Sequence, residues 1–252
     1  MEIQRSIEIQ KQLQAASALR TKLINHLSVA LGDDEALENN FIQTLKLSAE
    51  GFAPIWSSVP INRLDRTSSM LAGPFFTTVE NPIPMRSGEM LMPVVQLNLK
   101  EISELSGRDL GDGLLQLWCD PDWEETDRGL VFVIPRAELD SQTLTPFAYA
   151  PHSAANKSPL PEELIFHPSE DEVKVVSGYQ SLGLQCQTSY LDVYAADISD
   201  EVLGSVQDDL LKFQELTESE SSLHVLGTFY PIQYSAADVG WNCLMCFPRW
   251  GS

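Results

Sequence analysis

The stretch from Met70 to Asp120 constrains the fold most, because it holds two strand patterns separated by a short helical signal. Pro93-Val-Val-Gln-Leu-Asn-Leu99 opens with β-branched residues and alternates apolar with polar side chains after Val95. That is the period-2 pattern of a half-buried strand. Gly113-Leu-Leu-Gln-Leu-Trp-Cys119 repeats the logic, with Gln116 interrupting an apolar run. Between them, Leu99–Leu110 has room for one short helical turn, and Asp112-Gly113 marks a tight turn into the second strand. Upstream, Gly73-Pro74-Phe75-Phe76 reads as a sharp reversal that delivers two rings to a core. A buried amide without a partner costs ~1–3 kcal/mol. Gln96 and Gln116 are therefore expected on the exposed faces of their strands; the alternative has one of them lining a polar cleft between sheets.

A chain of 252 residues is long enough for one large domain or two small ones. Its 43% hydrophobic content and five tryptophans belong to a folded globule and not to a disordered chain. No run reaches the ~18–20 apolar residues that span a bilayer. The opening MEIQRSIEIQKQ lacks the basic and apolar regions of a signal peptide, so a cytoplasmic location is expected. The four cysteines are too few and too scattered for a disulfide framework. Cys119 and Cys246 sit in apolar runs, where a free thiol behaves as a small hydrophobe. Cys243 and Cys246 form a C-x-x-C, but zinc needs two further ligands and none follows before Ser252. No metal and no cofactor are expected.

Charge is uneven. Residues 1–70 carry 8 acidic and 7 basic side chains, and residues 71–252 carry 28 and 9, so nearly all of the net −20 lies in the second part. A field of that sign repels nucleic acid and anionic membrane and speeds encounter with a basic partner. The densest cluster is Asp120-Pro-Asp-Trp-Glu-Glu-Thr-Asp-Arg128, in which five carboxylates surround Trp123. It lacks the glycine and the alternating ligands of an EF-hand loop and reads as a solvated acidic connection between strands.

At the start of the chain, Ile3, Ile7, Leu13, Ala16, Leu23, Leu27 and Leu31 recur at helical spacing, ending at Gly32, a natural C′ residue. Asp33-Asp34-Glu35 is expected to cap a second helix bearing Leu37, Phe41 and Leu45 on one face. Residues 52–70 contain Pro54, Pro60 and a polar run, and read as loop. Gly129-Leu-Val-Phe-Val-Ile-Pro135 reads as a buried strand, apolar on both faces. Residues 140–163 form an irregular connection, Val173–Val176 and Leu182–Thr188 are two further strands, and residues 192–221 hold an acidic amphipathic helix. Near the end, Val225-Leu-Gly-Thr-Phe-Tyr230 echoes Leu71-Ala-Gly-Pro-Phe-Phe76, which suggests a degenerate internal duplication. The expected class is α+β: two related, mostly antiparallel sheet units packed together, with an N-terminal helical pair. Residues 1–69 form the helical region and residues 70–252 the β-rich domain, within one globule.

No G-x-S-x-G, P-loop, H-E-x-x-H or G-x-G-x-x-G occurs. Of the four histidines, His26 reads as surface and His152 and His167 as loop residues. His224 opens the second glycine–aromatic motif, either as a turn-tying ring or as a base or ligand. Taken in order, Gly73-Pro74, Gly88–Leu99 with Gln96 and Asn98, and Gly113–Trp118 resemble the first half of the YwqG-like family. His224, Gly227 and Gln233, followed by Trp241, resemble its later histidine–glycine–glutamine segment. The paired glycines of that family are Ala72-Gly73 and Gly227-Thr228 here, and its closing strand is cut to Trp250-Gly251-Ser252. The resemblance implies a bacterial two-sheet α+β protein of unassigned activity, of a kind found near polymorphic-toxin genes and associated with immunity to them.

Charge and resemblance together lead to one expectation: an immunity protein that binds a cationic toxin through an acidic surface. Asp120, Asp122, Trp123, Glu124, Glu125 and Asp127 are the candidate contacts, supplying steering charge and an aromatic anchor. The partner is expected to be a protein, with neither nucleic acid nor membrane involved. The alternatives are a hydrolase with its site between the sheet units near His224, and an adaptor whose partner is not a toxin.

Overall fold

The structure is a computed structural model, and it describes residues 2–32, 36, 39–86, 88–119, 129–140, 144, 172–186, 188–217, 224–227 and 245–246. These residues form an α+β protein of helices and antiparallel sheet. The chain divides into two compact units: unit 1 is Met1–Pro54 with Tyr179–Ser252, and unit 2 is Ile55–Gly178. No described helix is long and apolar enough to cross a membrane.

Unit 1 begins with helix α1, Glu2–Leu31, which ends as expected at Gly32 with a φ of +84°. Helix α2 is Asn40–Leu47 and carries the expected Phe41 and Leu45, and Ala36 before it is also helical. Residues 33–35 lie outside the described residues, and the cap of α2 is Asn39, whose Oδ1 accepts from the Ile42 N–H at 3.2 Å. The sheet of this unit runs β10–β9–β1–β8. Strand β1 spans Ala49–Pro60, β8 Glu172–Gln185, β9 His224–Leu226 and β10 Met245–Cys246, and the first two continue into unit 2. Helices α5, Thr188–Tyr194, and α6, Asp200–Thr217, complete the unit. Ala16, Leu23 and Leu27 of α1, Phe41, Ile42 and Leu45 of α2, and Val206, Leu210 and Phe213 of α6 share one core with Leu184 and Cys186. Periodicity of 3.6 residues on three helices thus produces the burial that stabilises them.

In unit 2 the sheet order is β1–β8–β2–β5–β6–β7. Here β2 is Met70–Leu71, β5 Met92–Asn98, β6 Leu114–Cys119 and β7 Gly129–Ile134. A separate small ribbon pairs β3, Met85–Arg86, with β4, Glu89–Met90. Helix α3 occupies Leu99–Ser106, two turns where one was expected, and α4 is the single turn Arg136–Leu139. The β5–β6 pair predicted from alternation is present over its whole length, with a register shift between Pro93 and Val95.

Three segments differ from their sequence reading. Residues 52–60, read as loop, continue β1, with Pro54 inside the strand and Pro60 at its end. Val173–Val176 and Leu182–Gln185 belong to a single strand, β8, that runs through Ser177–Ser181, and Thr188, expected to end the second strand, instead opens α5. β7 is a strand as expected, but it is not buried: Val131 and Val133 are 57% and 62% exposed, and Phe132 is 38% exposed.

Candidate functional site

The most polar buried cluster lies in unit 2, where β5 and β6 place Gln96 and Gln116 as Cα partners on one face. Both were expected to face solvent. Both are buried, at 0% and 3% exposure, because each amide finds a full set of partners. Gln96 Oε1 accepts from the Phe76 N–H at 2.9 Å and from Gln116 Nε2 at 2.8 Å. Gln96 Nε2 donates to the carbonyls of Arg66 and Ser68, each at 2.8 Å. Gln116 Nε2 also donates to the Phe76 carbonyl at 2.8 Å, and its Oε1 accepts from Trp118 Nε1 at 3.1 Å. Phe75 packs edge-on against Trp118, with ring centroids 5.1 Å apart.

The same loop is held from its other side. Arg66 donates through Nε and Nη2 to the Phe75 carbonyl and through Nη2 to Thr77 Oγ1 at 2.8 Å. Burial pushes the Arg66 guanidinium below its ordinary pKa, the direction that desolvation gives a cation. Ser69 Oγ donates to Glu101 Oε2 at 2.6 Å and accepts from the Asn98 N–H at 2.9 Å. Asn98 Oδ1 caps α3 through the Lys100 N–H, and its Nδ2 donates to the Thr67 carbonyl at 3.2 Å. Chemically this is a clamp on the backbone. Two neutral amides, an asparagine and a guanidinium fix Arg66–Ser69 and Phe75–Thr77 against β5 and β6.

The reversal at Gly73 has an unexpected hinge. Ala72, not Gly73, takes the left-handed conformation, with φ of +46°. A Cβ at Gly73 would lie 2.7 Å from the Met70 sulfur, so the Met70 side chain would have to shift to admit one. Phe75 and Phe76 are both buried, as the reversal required.

In unit 1, Leu226 takes a φ of +58° and occupies the position equivalent to Ala72 in the echoing motif. Gly51 and Leu226 are Cα partners, and the side chain of Gln185 fills the space beside Gly51 and Gly227. A Cβ at either glycine would come within 2.7 Å of that amide. Gln185 is fully buried, yet neither its Nε2 nor its Oε1 has a hydrogen-bond partner among the described residues. It is the polar group that sequence reading missed, because Leu184-Gln185-Cys186 gave no sign of which face would be covered.

His224 is on β9 opposite Cys246, and its side chain is 1% exposed. His26 is exposed, as expected, with Nε2 2.9 Å from Ser205 Oγ. The acidic contacts Asp120, Asp122, Trp123, Glu124, Glu125 and Asp127 lie outside the described residues, as do Gln233, Trp241 and Cys243. Gly73, Pro74, Gln96 and Asn98 are brought together around the clamp. Among the described residues no group of three or more His, Cys, Asp or Glu side chains could hold a metal ion.

A different acidic surface is described on α5, α6 and the 3-10 turn Ala195–Asp197 that joins them. Asp192, Asp197, Asp200, Glu201, Asp208 and Glu215 are exposed there. Val193 and Leu211 are exposed in the same two helices, at 64% and 52%, and Gln214 Nε2 donates to Asp192 Oδ1 at 3.0 Å to tie the helices together. Asp209 instead pairs with Lys22 of α1.

By architecture, then, this is an α+β protein whose buried polar groups in unit 2 brace a loop. No protein-family model matches the chain, and no curated protein matches it.

Proposed function

We propose that the chain is a bacterial immunity protein that binds and neutralises a cognate cationic toxin through an acidic surface. The observation that carries this reading is the exposed face of α5 and α6. Six exposed carboxylates on these helices and the turn that joins them accompany two exposed aliphatic side chains in a protein of net charge −20. Charge of one sign steers a basic partner, and a desolvated apolar centre supplies the anchor. The bracing of unit 2 is consistent with a rigid binder, since the amides that would line a cleft are engaged with backbone. The acidic run Asp120–Asp127 extends the same sign of charge along the sequence. A catalytic role for His224 has less support, because its ring is buried.

The YwqG-like resemblance belongs to this proposal, together with the internal duplication and the two related sheet units that it implies. The positive φ shared by Ala72 and Leu226, at matching places in the two motifs, supports the duplication. A cytoplasmic site of action follows from the same reading.

Co-expression with the product of the adjacent gene tests the proposal. Survival of the cells and co-purification at low salt are expected, with the complex weakening as salt screens the charge. Loss of viability despite full expression of the folded chain would end it. In the complex, Asp208→Lys with Glu215→Lys is expected to slow association far more than dissociation.

A further inference from the structure

Among the described residues, β7 is an edge strand of the sheet. Its only strand partner there is β6, with six consecutive Cα pairs from Leu114↔Ile134 to Cys119↔Gly129 and no register shift. Natural sheet edges are blunted by lysine, proline or a bulge. Gly129-Leu-Val-Phe-Val-Ile134 carries none of these, and Val131, Phe132 and Val133 are exposed on both faces of the strand. Six residues offer a hydrogen-bonding edge about 20 Å long.

Charge identifies what suits that edge. The nine residues between Cys119 and Gly129 carry five carboxylates and one arginine, so the strand begins directly after an acidic run. Its other end is followed by Pro135 and Arg136. An added strand that is apolar along its length and basic at the end beside Gly129 would satisfy both. A second copy of this chain would instead bring two molecules of charge −20 together.

We propose that β7 accepts an extended segment of a protein partner by β-strand addition, the segment being apolar in alternation and basic at the end that meets the start of β7. The proposal rests on the binding function above only for the sign of the partner's charge. Backbone hydrogen bonds supply the affinity, Val131, Val133 and Phe132 read the alternate side chains, and the charge fixes direction.

The probe is a synthetic peptide of alternating valine and threonine with a lysine run at one end. It is titrated into the full chain by calorimetry, beside the same peptide N-methylated at alternate backbone positions. Binding of the first and not the second is expected, since methylation removes backbone donors and keeps the charge. Val131→Lys with Val133→Lys is expected to weaken binding about tenfold or more. Both positions face solvent, so the fold should survive, and an unchanged melting temperature checks this. Should that variant unfold, Val131→Thr with Val133→Thr, which keeps the β-branch, is expected to weaken binding less but measurably. Equal binding of the methylated peptide, insensitivity to the β7 substitutions, or no binding at all would overturn the proposal. So would a homodimer, seen by sedimentation, that the lysine variant dissolves. If the toxin complex forms and ignores the β7 substitutions, the immunity function stands and this inference falls. If the peptide binds through β7 while no toxin is neutralised, the reverse holds.

Discussion

Gln96 and Gln185 make a controlled comparison at the residue scale. Both are glutamines on strands with no exposed surface, and among the described residues one has every amide atom bonded while the other has neither. Removing one partner of a buried hydrogen bond strands the other, at ~1–3 kcal/mol per group. Gln96→Leu leaves the Phe76 N–H and the Arg66 and Ser68 carbonyls without it, and is expected to cost about 3 kcal/mol or more in urea unfolding. Gln185→Met replaces an unpartnered amide by an apolar chain of similar length, so stability is expected to be unchanged or to rise by about 1 kcal/mol. If both variants lost the same stability, the difference in partners would be irrelevant. Sequence reading put Gln96 and Gln116 on the exposed face because alternation marks them as polar. It had no access to the loop Arg66–Phe76, which arrives from elsewhere in the chain with carbonyls and an N–H at the right distance.

Caps and close approaches decide the elements. Asn98 both caps α3 and holds Thr67, so Asn98→Ala is expected to cost about 1–2 kcal/mol. Asn98→Asp should recover the cap and not the bond to the Thr67 carbonyl, giving a loss between wild type and alanine. Equal losses for the two would mean that the cap contributes nothing. Gly113 was legible as a turn residue, but its structural reason is different. A Cβ there would lie 2.1 Å from the Ile134 carbonyl oxygen, so the hairpin partner excludes any side chain. Gly113→Ala is expected to destabilise by at least about 3 kcal/mol and to loosen the β6–β7 pair first, detectable as faster amide exchange on β7. Helix α1, the β5–β6 pair and the Gly32 terminus were readable from local pattern. The length of β8 was not, because its polar middle carries no strand periodicity and is held by pairing with other strands.

For the molecule as a whole, the dominant quantity is the net charge of −20. Acidic side chains outnumber basic ones 36 to 16, and the ion pairs include Lys22–Asp209 and the exposed Arg136–Asp140. Like-charge repulsion should therefore outweigh ion pairing, and salt should screen mainly repulsion. The melting temperature is expected to rise as sodium chloride is raised from a few millimolar to several hundred; a fall would mean that ion pairs dominate stability. Composition and local spacing together therefore determined the sign of the field, the folded α+β class and the helical start of the chain, since these depend on residue counts and on short-range patterns. Tertiary structure decided where the polar groups went: Gln96 and Gln116 into a bonded clamp, Gln185 into a space left by two glycines, and β7 to an exposed edge. Each of those outcomes depends on a neighbour far away in sequence, and a periodicity of two or 3.6 residues carries no information about what will be packed against it.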